Sequence, residues 1–220
     1  MKYKAVIFDL DGVICHTDKY HYLAWKTLAD KLGIYFDEEI NNLLKGVSRM
    51  DSLEIILQQP KTPEKQKAVF SFDNRKKQEL ADEKNAYYVT FLKEMSEEDL
   101  SEDVKKTLFE LRDRGFLLAI GSSSKNAKFI LDRLGLSDFF DAVSDGNNIM
   151  NSKPHPEVFL KAAEYLEVIA ESCVVVEDAV AGIEAACAAH MDSAAIGDAC
   201  SCPKATYKLH AFSDLLNIVE

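Results

Sequence analysis

Five short apolar runs constrain the fold of this 220-residue chain more than any other feature. The runs are YKAVIF, FLLAIG, FFDAV, SCVVVE and DSAAIG, and most of them precede a segment whose apolar residues recur at three- and four-residue steps. Near-continuous apolar strands that alternate with helices are typical of a parallel sheet covered on both faces. The sequence therefore predicts a doubly wound, Rossmann-like parallel α/β sheet. Its predicted helices span 102–114, 125–134, 156–167, 179–190 and 212–218.

The alternation of strands and helices stops between about residue 18 and residue 94. The stretches YHYLAWKTLADKLGI, DSLEIILQQ and ADEKNAYYVTFLKEM all have helical spacing, and no convincing strand separates them. We therefore predict a helical cap domain over 17–94, inserted into an α/β core domain formed by 1–16 and 95–220. The charge-rich segment 60–85 begins with two prolines, which predicts a loop followed by a long solvated helix.

Charge and composition argue against several classes of protein. A formal net charge of −11 disfavours nucleic acid or an anionic membrane as the main partner. The start MKYKAVIFDLDG differs from a signal peptide, and we find no stretch of eighteen apolar residues, so we expect a cytoplasmic protein. The five cysteines form no repeated spacing and are predicted to be reduced thiols.

Polar residues follow four of the predicted strands, at the sheet edge where α/β proteins bind ligands. Taken one at a time, such residues often cap helices or fill turns. Taken together, they would bring four acids, a run of hydroxyls and a lysine to one edge of one sheet. In strand order these residues are Asp9, Asp11 and Gly12; Ser122, Ser123, Ser124 and Lys125; Lys153; and Glu177 and Asp178.

A cluster of carboxylates needs a cation. Two carboxylates ~4 Å apart repel each other by about 4 kcal/mol at an effective dielectric constant of 20. Oxygen ligands without histidine or cysteine favour a hard ion, most plausibly Mg²⁺. A metal beside a lysine and hydroxyls, which can hold anionic oxygens, is typical of phosphoryl transfer, and an aspartate can then serve as the nucleophile.

The same residues resemble the four motifs of the haloacid dehalogenase superfamily of phosphotransferases. The matching features are DLDGV, Ser122 at the end of a strand, Lys153-Pro154 and Glu177-Asp178, while the helical insertion resembles that superfamily's cap. The resemblance implies that Asp9 is the nucleophile and a Mg²⁺ ligand.

The resemblance implies a role for the other core residues as well. Asp11 would act as general acid/base and offer its backbone carbonyl to the metal. Ser122 and Lys153 would hold the transferring phosphoryl group, and Glu177 with Asp178 would complete the metal site.

Two stretches of the cap suggest a second anion site. In KGVSRMDS, Ser48 and Asp51 predict a capping box that starts a helix, with Gly46 in the preceding turn. This leaves Arg49 unexplained, because the helix dipole opposes a cation in the first turn by ~0.3–1 kcal/mol. Beside free backbone N–H groups, however, the same arginine could bind a second phosphate.

KGVSRMDS and the other stretch, TDKYHYLAW, resemble the β-phosphoglucomutase family of that superfamily. The resemblance implies conversion of β-D-glucose 1-phosphate to glucose 6-phosphate through an aspartyl-phosphate enzyme and a β-glucose 1,6-bisphosphate intermediate. A sugar phosphate and this bisphosphate are therefore the expected partners of a chain that we expect to be a monomer. Beyond the core motifs, the implied substrate-binding residues are His21, Trp25, Gly46, Val47, Ser48, Arg49, Ser52, Lys84, Ser124 and Asn126.

Other functions and other roles stay open at this point. The main alternative is a Mg²⁺-dependent phosphatase of small sugar or polyol phosphates, and a third reading is a sugar-phosphate sensor. His21 could be a packed histidine, and Trp25 could belong to the core. Without the resemblance, the charged neighbours of Lys84 predict a solvated lysine, and Ser124 and Asn126 could simply begin the next helix.

Overall fold

The computed structural model describes residues 2–44, 48–59 and 72–219. The chain divides into two compact units, one formed by Met1–His16 with Met95–Glu220 and the other by Thr17–Glu94. The predicted loop after Pro60 and the predicted site residues Gly46 and Val47 lie outside the described residues.

The first unit is built on a six-stranded parallel sheet in the order β3-β2-β1-β4-β5-β6. This confirms the doubly wound α/β prediction. The sixth strand was not predicted, because two residues form no recognisable apolar run. The strands are β1 (Ala5–Phe8), β2 (Leu117–Gly121), β3 (Ala142–Ser144), β4 (Cys173–Glu177), β5 (Asp192–Ala195) and β6 (Tyr207–Lys208).

The helices match the sequence pattern closely. Four of the five helices predicted for the first unit are found with both ends within two residues, and the segment 212–218 starts with a 3₁₀ turn, Phe212–Asp214, before its short α-helix. Among the described residues, no helix is both long and apolar enough to cross a bilayer. The helices are α1 (Asp18–Leu32), α2 (Glu38–Asn42), α3 (Arg49–Leu57), α4 (Asn74–Leu92), α5 (Glu102–Asp113), α6 (Ala127–Arg133), α7 (Glu157–Tyr165), α8 (Val180–Ala188) and α9 (Leu215–Ile218).

The central strand β1 is buried on both faces. Ile7 belongs to an apolar cluster that includes Phe159 of α7 and Ala185 of α8. The neighbouring Phe8 stacks on Phe212, with ring centroids 5.7 Å apart. Because successive side chains of a strand point to opposite faces, this packing explains why β1 reads as a continuous apolar run.

The second unit is helical, and α1, α3 and α4 share one apolar core. Ser48 caps α3 by accepting a hydrogen bond from the backbone N–H of Asp51, and its hydroxyl lies 2.6 Å from the Asp51 carboxylate. The predicted long helix is confirmed as α4, but it is solvated on one side only. Its buried residues include Leu80, Lys84, Tyr88 and Leu92, which recur every four positions.

Candidate active site

Asp9 lies immediately beyond β1, at the carboxyl end of the parallel sheet. Its backbone N–H donates to the carbonyl oxygen of Val176, and the residue is 7% exposed. Because Phe8 pairs with Val176 in the register of β1 and β4, Asp9 comes next to Glu177. The parallel register thus brings together two carboxylates that are far apart in the sequence.

Lys153 joins these two carboxylates. Its ammonium group donates hydrogen bonds to Asp9 Oδ1 and to Glu177 Oε2, the latter at 2.8 Å. The Lys153 side chain is 9% exposed. Burial acts to lower the pKa of Lys153, but the charges of Asp9 and Glu177 outweigh it and raise that pKa above its ordinary value.

Asp178 completes a compact acidic group. Carboxylate oxygens of Asp9, Glu177 and Asp178 all lie within 4.8 Å of one another. Burial raises the pKa of Asp9 to about 7, against the opposing charge of Lys153 and with a further contribution from the charge of Glu177. Burial also raises the pKa of Glu177. An all-oxygen donor set of buried, mutually repelling carboxylates fits a hard divalent cation.

Asp11 contacts Asp9 through the backbone. Its N–H donates to the Asp9 carboxylate, which favours the ionised form of Asp9. The next residue, Gly12, has a φ of 93°, and a Cβ at this position would lie 2.0 Å from Asp178 Oδ2. Both the left-handed conformation and the contact with Asp178 therefore favour glycine.

Ser122 follows β2 at the same edge of the sheet and is 1% exposed. Its hydroxyl oxygen accepts a hydrogen bond from the backbone N–H of Ser124 at 3.1 Å, and the Ser124 hydroxyl accepts from the N–H of Asn126 at 3.2 Å. Asn126 is the residue that precedes α6. The Ser124 hydroxyl thus orders the chain just before α6, and substrate contacts of Ser124 and Asn126 stay a prediction.

Within the second unit, Lys84 lies in a buried cluster with three ring side chains. Its ammonium nitrogen is 2.8 Å from His21 Nδ1 and lies 4.8 Å and 4.7 Å from the ring centroids of Trp25 and Tyr88. Lys84 is 2% exposed. The solvated lysine expected from its charged neighbours was wrong, because position 84 belongs to the buried row of α4.

The surroundings of His21 favour the neutral form of its ring. Burial is the main cause that lowers its pKa well below the ordinary value, and the positive charges of Lys84 and Arg49 add to it. The ring of His21 also packs on Tyr88 with centroids 4.0 Å apart. Because an ammonium group can only donate, His21 Nδ1 accepts its hydrogen bond and the ring proton lies on Nε2.

Arg49 begins α3 and is held against α4. Its Nη2 donates to Asn85 Oδ1 at 3.0 Å, and its Nη1 lies 4.0 Å from Asp82 Oδ1. The side chain is 28% exposed, and burial lowers the pKa of the guanidinium group. The arginine is therefore fixed in position while part of its surface reaches solvent.

Two other predicted residues of the second unit, Trp25 and Ser52, are buried. Trp25 belongs to the apolar core and is 3% exposed, and Ser52 is buried within α3. Sequence reasoning did not select Asn85 and Tyr88, which contact Arg49 and Lys84. The four-residue spacing of Leu80, Lys84 and Tyr88 would have indicated the buried row.

Comparison with known proteins places the chain in a family. The model of haloacid dehalogenase-like hydrolases matches residues 3–190. The chain is also 41% identical to a β-phosphoglucomutase of Bacillus subtilis over 194 residues, which are 88% of this chain and 83% of that protein. The chain belongs to the haloacid dehalogenase-like hydrolase family.

Two further relatives bear on the activity of this chain. A phosphorylated carbohydrates phosphatase of Thermotoga maritima is 30% identical over 83% of this chain and 80% of its own length. A crystal structure of a β-phosphoglucomutase from Clostridium difficile superposes with a TM-score of 0.86 at 40% identity, covering 97% of this chain and 93% of that one. The family therefore contains both mutases and phosphatases that resemble this chain.

Proposed function

We propose that this chain is a phosphomutase that interconverts β-D-glucose 1-phosphate and glucose 6-phosphate. The observation that carries the proposal is the 41% identity to the Bacillus subtilis β-phosphoglucomutase over nearly nine tenths of the chain. The arrangement of Asp9, Lys153, Glu177 and Asp178 supports it, because a carboxylate beside an ammonium group is combined with an acidic group of the kind that suits a metal.

Asp9 is the proposed nucleophile and carries the phosphoryl group between the two half-reactions. Lys153 and the N–H of Asp11 orient its carboxylate. Its raised pKa means that, without a bound cation, the Asp9 carboxyl group is partly protonated near neutral pH. A nearby divalent cation lowers that pKa again. The same carboxylate is therefore expected to be most reactive when the acidic group is fully charged.

The remaining core residues serve charge and proton transfer. Asp9, the backbone carbonyl of Asp11, Glu177 and Asp178 are the proposed holders of Mg²⁺, which when bound supplies charge neutralisation for the phosphoryl oxygens. Asp11 is the proposed general acid/base for the sugar oxygen. Lys153 and Ser122 would bind the oxygens of the transferring phosphoryl group.

A mutase also needs to bind a phosphate group that does not react. Arg49 is the proposed ligand of this second phosphate, because it is fixed by Asn85 and still partly exposed. Lys84 is proposed to contact the substrate as a second cation beside Arg49. His21 is proposed to contact it as a hydrogen-bond donor through its Nε2–H. The further proposed contacts are Trp25, Gly46, Val47, Ser48, Ser52, Ser124 and Asn126.

Product identity tests the proposal. The purified chain is incubated with β-glucose 1-phosphate, Mg²⁺ and a trace of β-glucose 1,6-bisphosphate, and glucose 6-phosphate and inorganic phosphate are measured in parallel. We expect glucose 6-phosphate to accumulate, and α-glucose 1-phosphate in the same assay to give far less. Release of inorganic phosphate in place of glucose 6-phosphate would contradict a mutase.

A Mg²⁺-dependent phosphatase of small sugar phosphates is the second candidate. The 30% identity to the Thermotoga maritima phosphatase favours it, because that protein matches over a similar share of the chain. Release of phosphate from several sugar phosphates, without any requirement for bisphosphate, would support this alternative. The monomeric state and the cytoplasmic location stay predictions, and size-exclusion chromatography tests the first.

A further inference from the structure

Gly182, in the first turn of α8, lies against the buried carboxyl group of Glu177. A Cβ at position 182 would be 2.0 Å from Glu177 Cδ, 2.1 Å from Oε2 and 2.3 Å from Cγ. These distances are far shorter than any non-bonded contact between such atoms. The Glu177 carboxyl group therefore occupies the space that a side chain at position 182 would need.

The backbone does not explain this glycine. Gly182 has no positive φ and lies in a regular helix, where alanine is the better helix former. The space at position 182 is occupied by one side chain of the acidic group. A requirement for glycine here therefore concerns the position of Glu177.

Glu177 is held tightly on its other sides. Its Oε2 accepts from Lys153 at 2.8 Å, its Oε1 accepts from the N–H of Ala179 at 3.1 Å, and the residue is 1% exposed. A methyl group at 182 can be accommodated only if the carboxyl group moves. That movement would displace Oε2, the atom that accepts from Lys153, and so weaken the share of the ammonium group that Glu177 holds relative to Asp9.

We propose that Gly182 is a positioning residue that sets how the Lys153 ammonium group is shared between Asp9 and Glu177. Sharing keeps Asp9 from forming an exclusive ion pair, which would make its carboxylate a poorer nucleophile. The catalytic part of this inference rests on the proposed function of Asp9. Its geometric part is that Glu177 fills the space of a missing Cβ, and this part does not rest on the proposed function.

A double-mutant cycle tests the geometric part without any assay of activity. Gly182→Ala is made in the parent and in a Glu177→Ala background. Two quantities are measured for each variant: Tm, and the ¹H–¹⁵N NMR signal of the Lys153 ammonium group. In the parent we expect a lower Tm and a shifted or lost Lys153 signal. In the Glu177→Ala background the added methyl has room, so we expect Tm to rise, by about 2 °C.

Steady-state kinetics tests the catalytic part. For Gly182→Ala in the parent we expect kcat to fall at least tenfold, with a change in KM of less than threefold. Ala188→Gly is the matched control, because it removes one exposed methyl from the same helix and should lower Tm without changing kcat.

Every outcome decides one part of the inference. If Gly182→Ala behaves alike in both backgrounds, or if the double variant fails to fold while Glu177→Ala alone folds, the methyl meets something other than Glu177 and the inference is wrong. If only the single variant fails to fold, the contact with Glu177 is supported. If the cycle holds but kcat is unchanged, Gly182 is structural only. If the cycle holds while the parent releases only inorganic phosphate, the proposed function fails and the positioning role stands.

Discussion

Lys153 and Lys84 are both largely buried, yet their described contacts differ in kind. Lys153 donates to two carboxylates, and the charges of these groups raise its pKa. Lys84 contacts a neutral histidine nitrogen and the faces of Trp25 and Tyr88. The first lysine balances buried negative charge, whereas the contacts described for the second are with a histidine nitrogen and two aromatic rings. We infer that Lys153 is needed for both stability and chemistry, and Lys84 mainly for binding.

The largest effect is expected for Lys153→Met. Removing the ammonium group leaves Asp9 and Glu177 facing each other in a buried site, which typically costs about 3–5 kcal/mol of unfolding free energy. The transferring phosphoryl group also loses a cation, so we expect kcat to fall by roughly 10³-fold. Urea unfolding and the mutase assay measure the two effects. If Lys153→Met were as stable as the parent in buffer without Mg²⁺, Lys153 would not balance this charge.

A smaller and more selective effect is expected for Arg49→Ala. Loss of a charged hydrogen-bonding group for the second phosphate should lower mutase kcat/KM by roughly 10²-fold. Phosphorylation of Asp9 by a small phosphodonor such as acetyl phosphate should change little, because that reaction uses one phosphate.

Arg75→Ala is the matched control for Arg49, because Arg75 belongs to the same helical unit and its side chain is 87% exposed. It should leave both reactions unchanged. Equal losses of both reactions in Arg49→Ala would argue against a role in binding a second phosphate.

Lys84→Met separates the two lysines most sharply. Methionine packs well on aromatic rings but cannot donate to His21 Nδ1, so the free energy of unfolding should fall by about 1–3 kcal/mol, less than for Lys153→Met. The pKa of His21 should rise, because a neighbouring positive charge is removed. NMR titration of the His21 ring measures this shift. A loss of stability as large as that of Lys153→Met would remove the distinction between the two lysines.

A further expected effect is a pH dependence of stability. The pKa of Asp9 is about 7 in the folded chain and near 3.8 when unfolded, so folding favours the protonated form. The associated stability is present below about pH 4 and is lost as the pH rises through 7. In metal-free buffer, Asp9→Asn should therefore raise Tm more at pH 8 than at pH 5. A difference in Tm that does not depend on pH would show that burial does not raise this pKa.

The two lysines also show what the sequence could predict. Lys153 and the acids Asp9, Glu177 and Asp178 follow apolar strands, and the parallel register brings the ends of β1 and β4 together. This part of the site follows from the fold class. Lys84 follows no such rule, because its neighbours in the sequence are charged while its neighbours in space lie on α1 and four residues along α4. Tertiary packing therefore overrides local composition at this position.

Gly182 is a similar case within the core. Its place in α8 is regular, so the sequence alone gave no reason to prefer glycine over alanine there. Only the position of the Glu177 carboxyl group reveals the constraint. Contacts between a helix and the end of a strand depend on the distance between the two elements, which hydrophobic periodicity does not encode.

The central claim is that Asp9 passes a phosphoryl group to a sugar. The most direct test phosphorylates the chain with labelled phosphodonor, mixes it rapidly with β-glucose 1-phosphate, and follows the label over a single turnover. We predict that the label starts on the peptide containing Asp9, moves into the sugar bisphosphate, and is absent from the Asp9→Asn variant. A label that leaves only as inorganic phosphate, or that is still found on the Asp9→Asn chain, would contradict the claim.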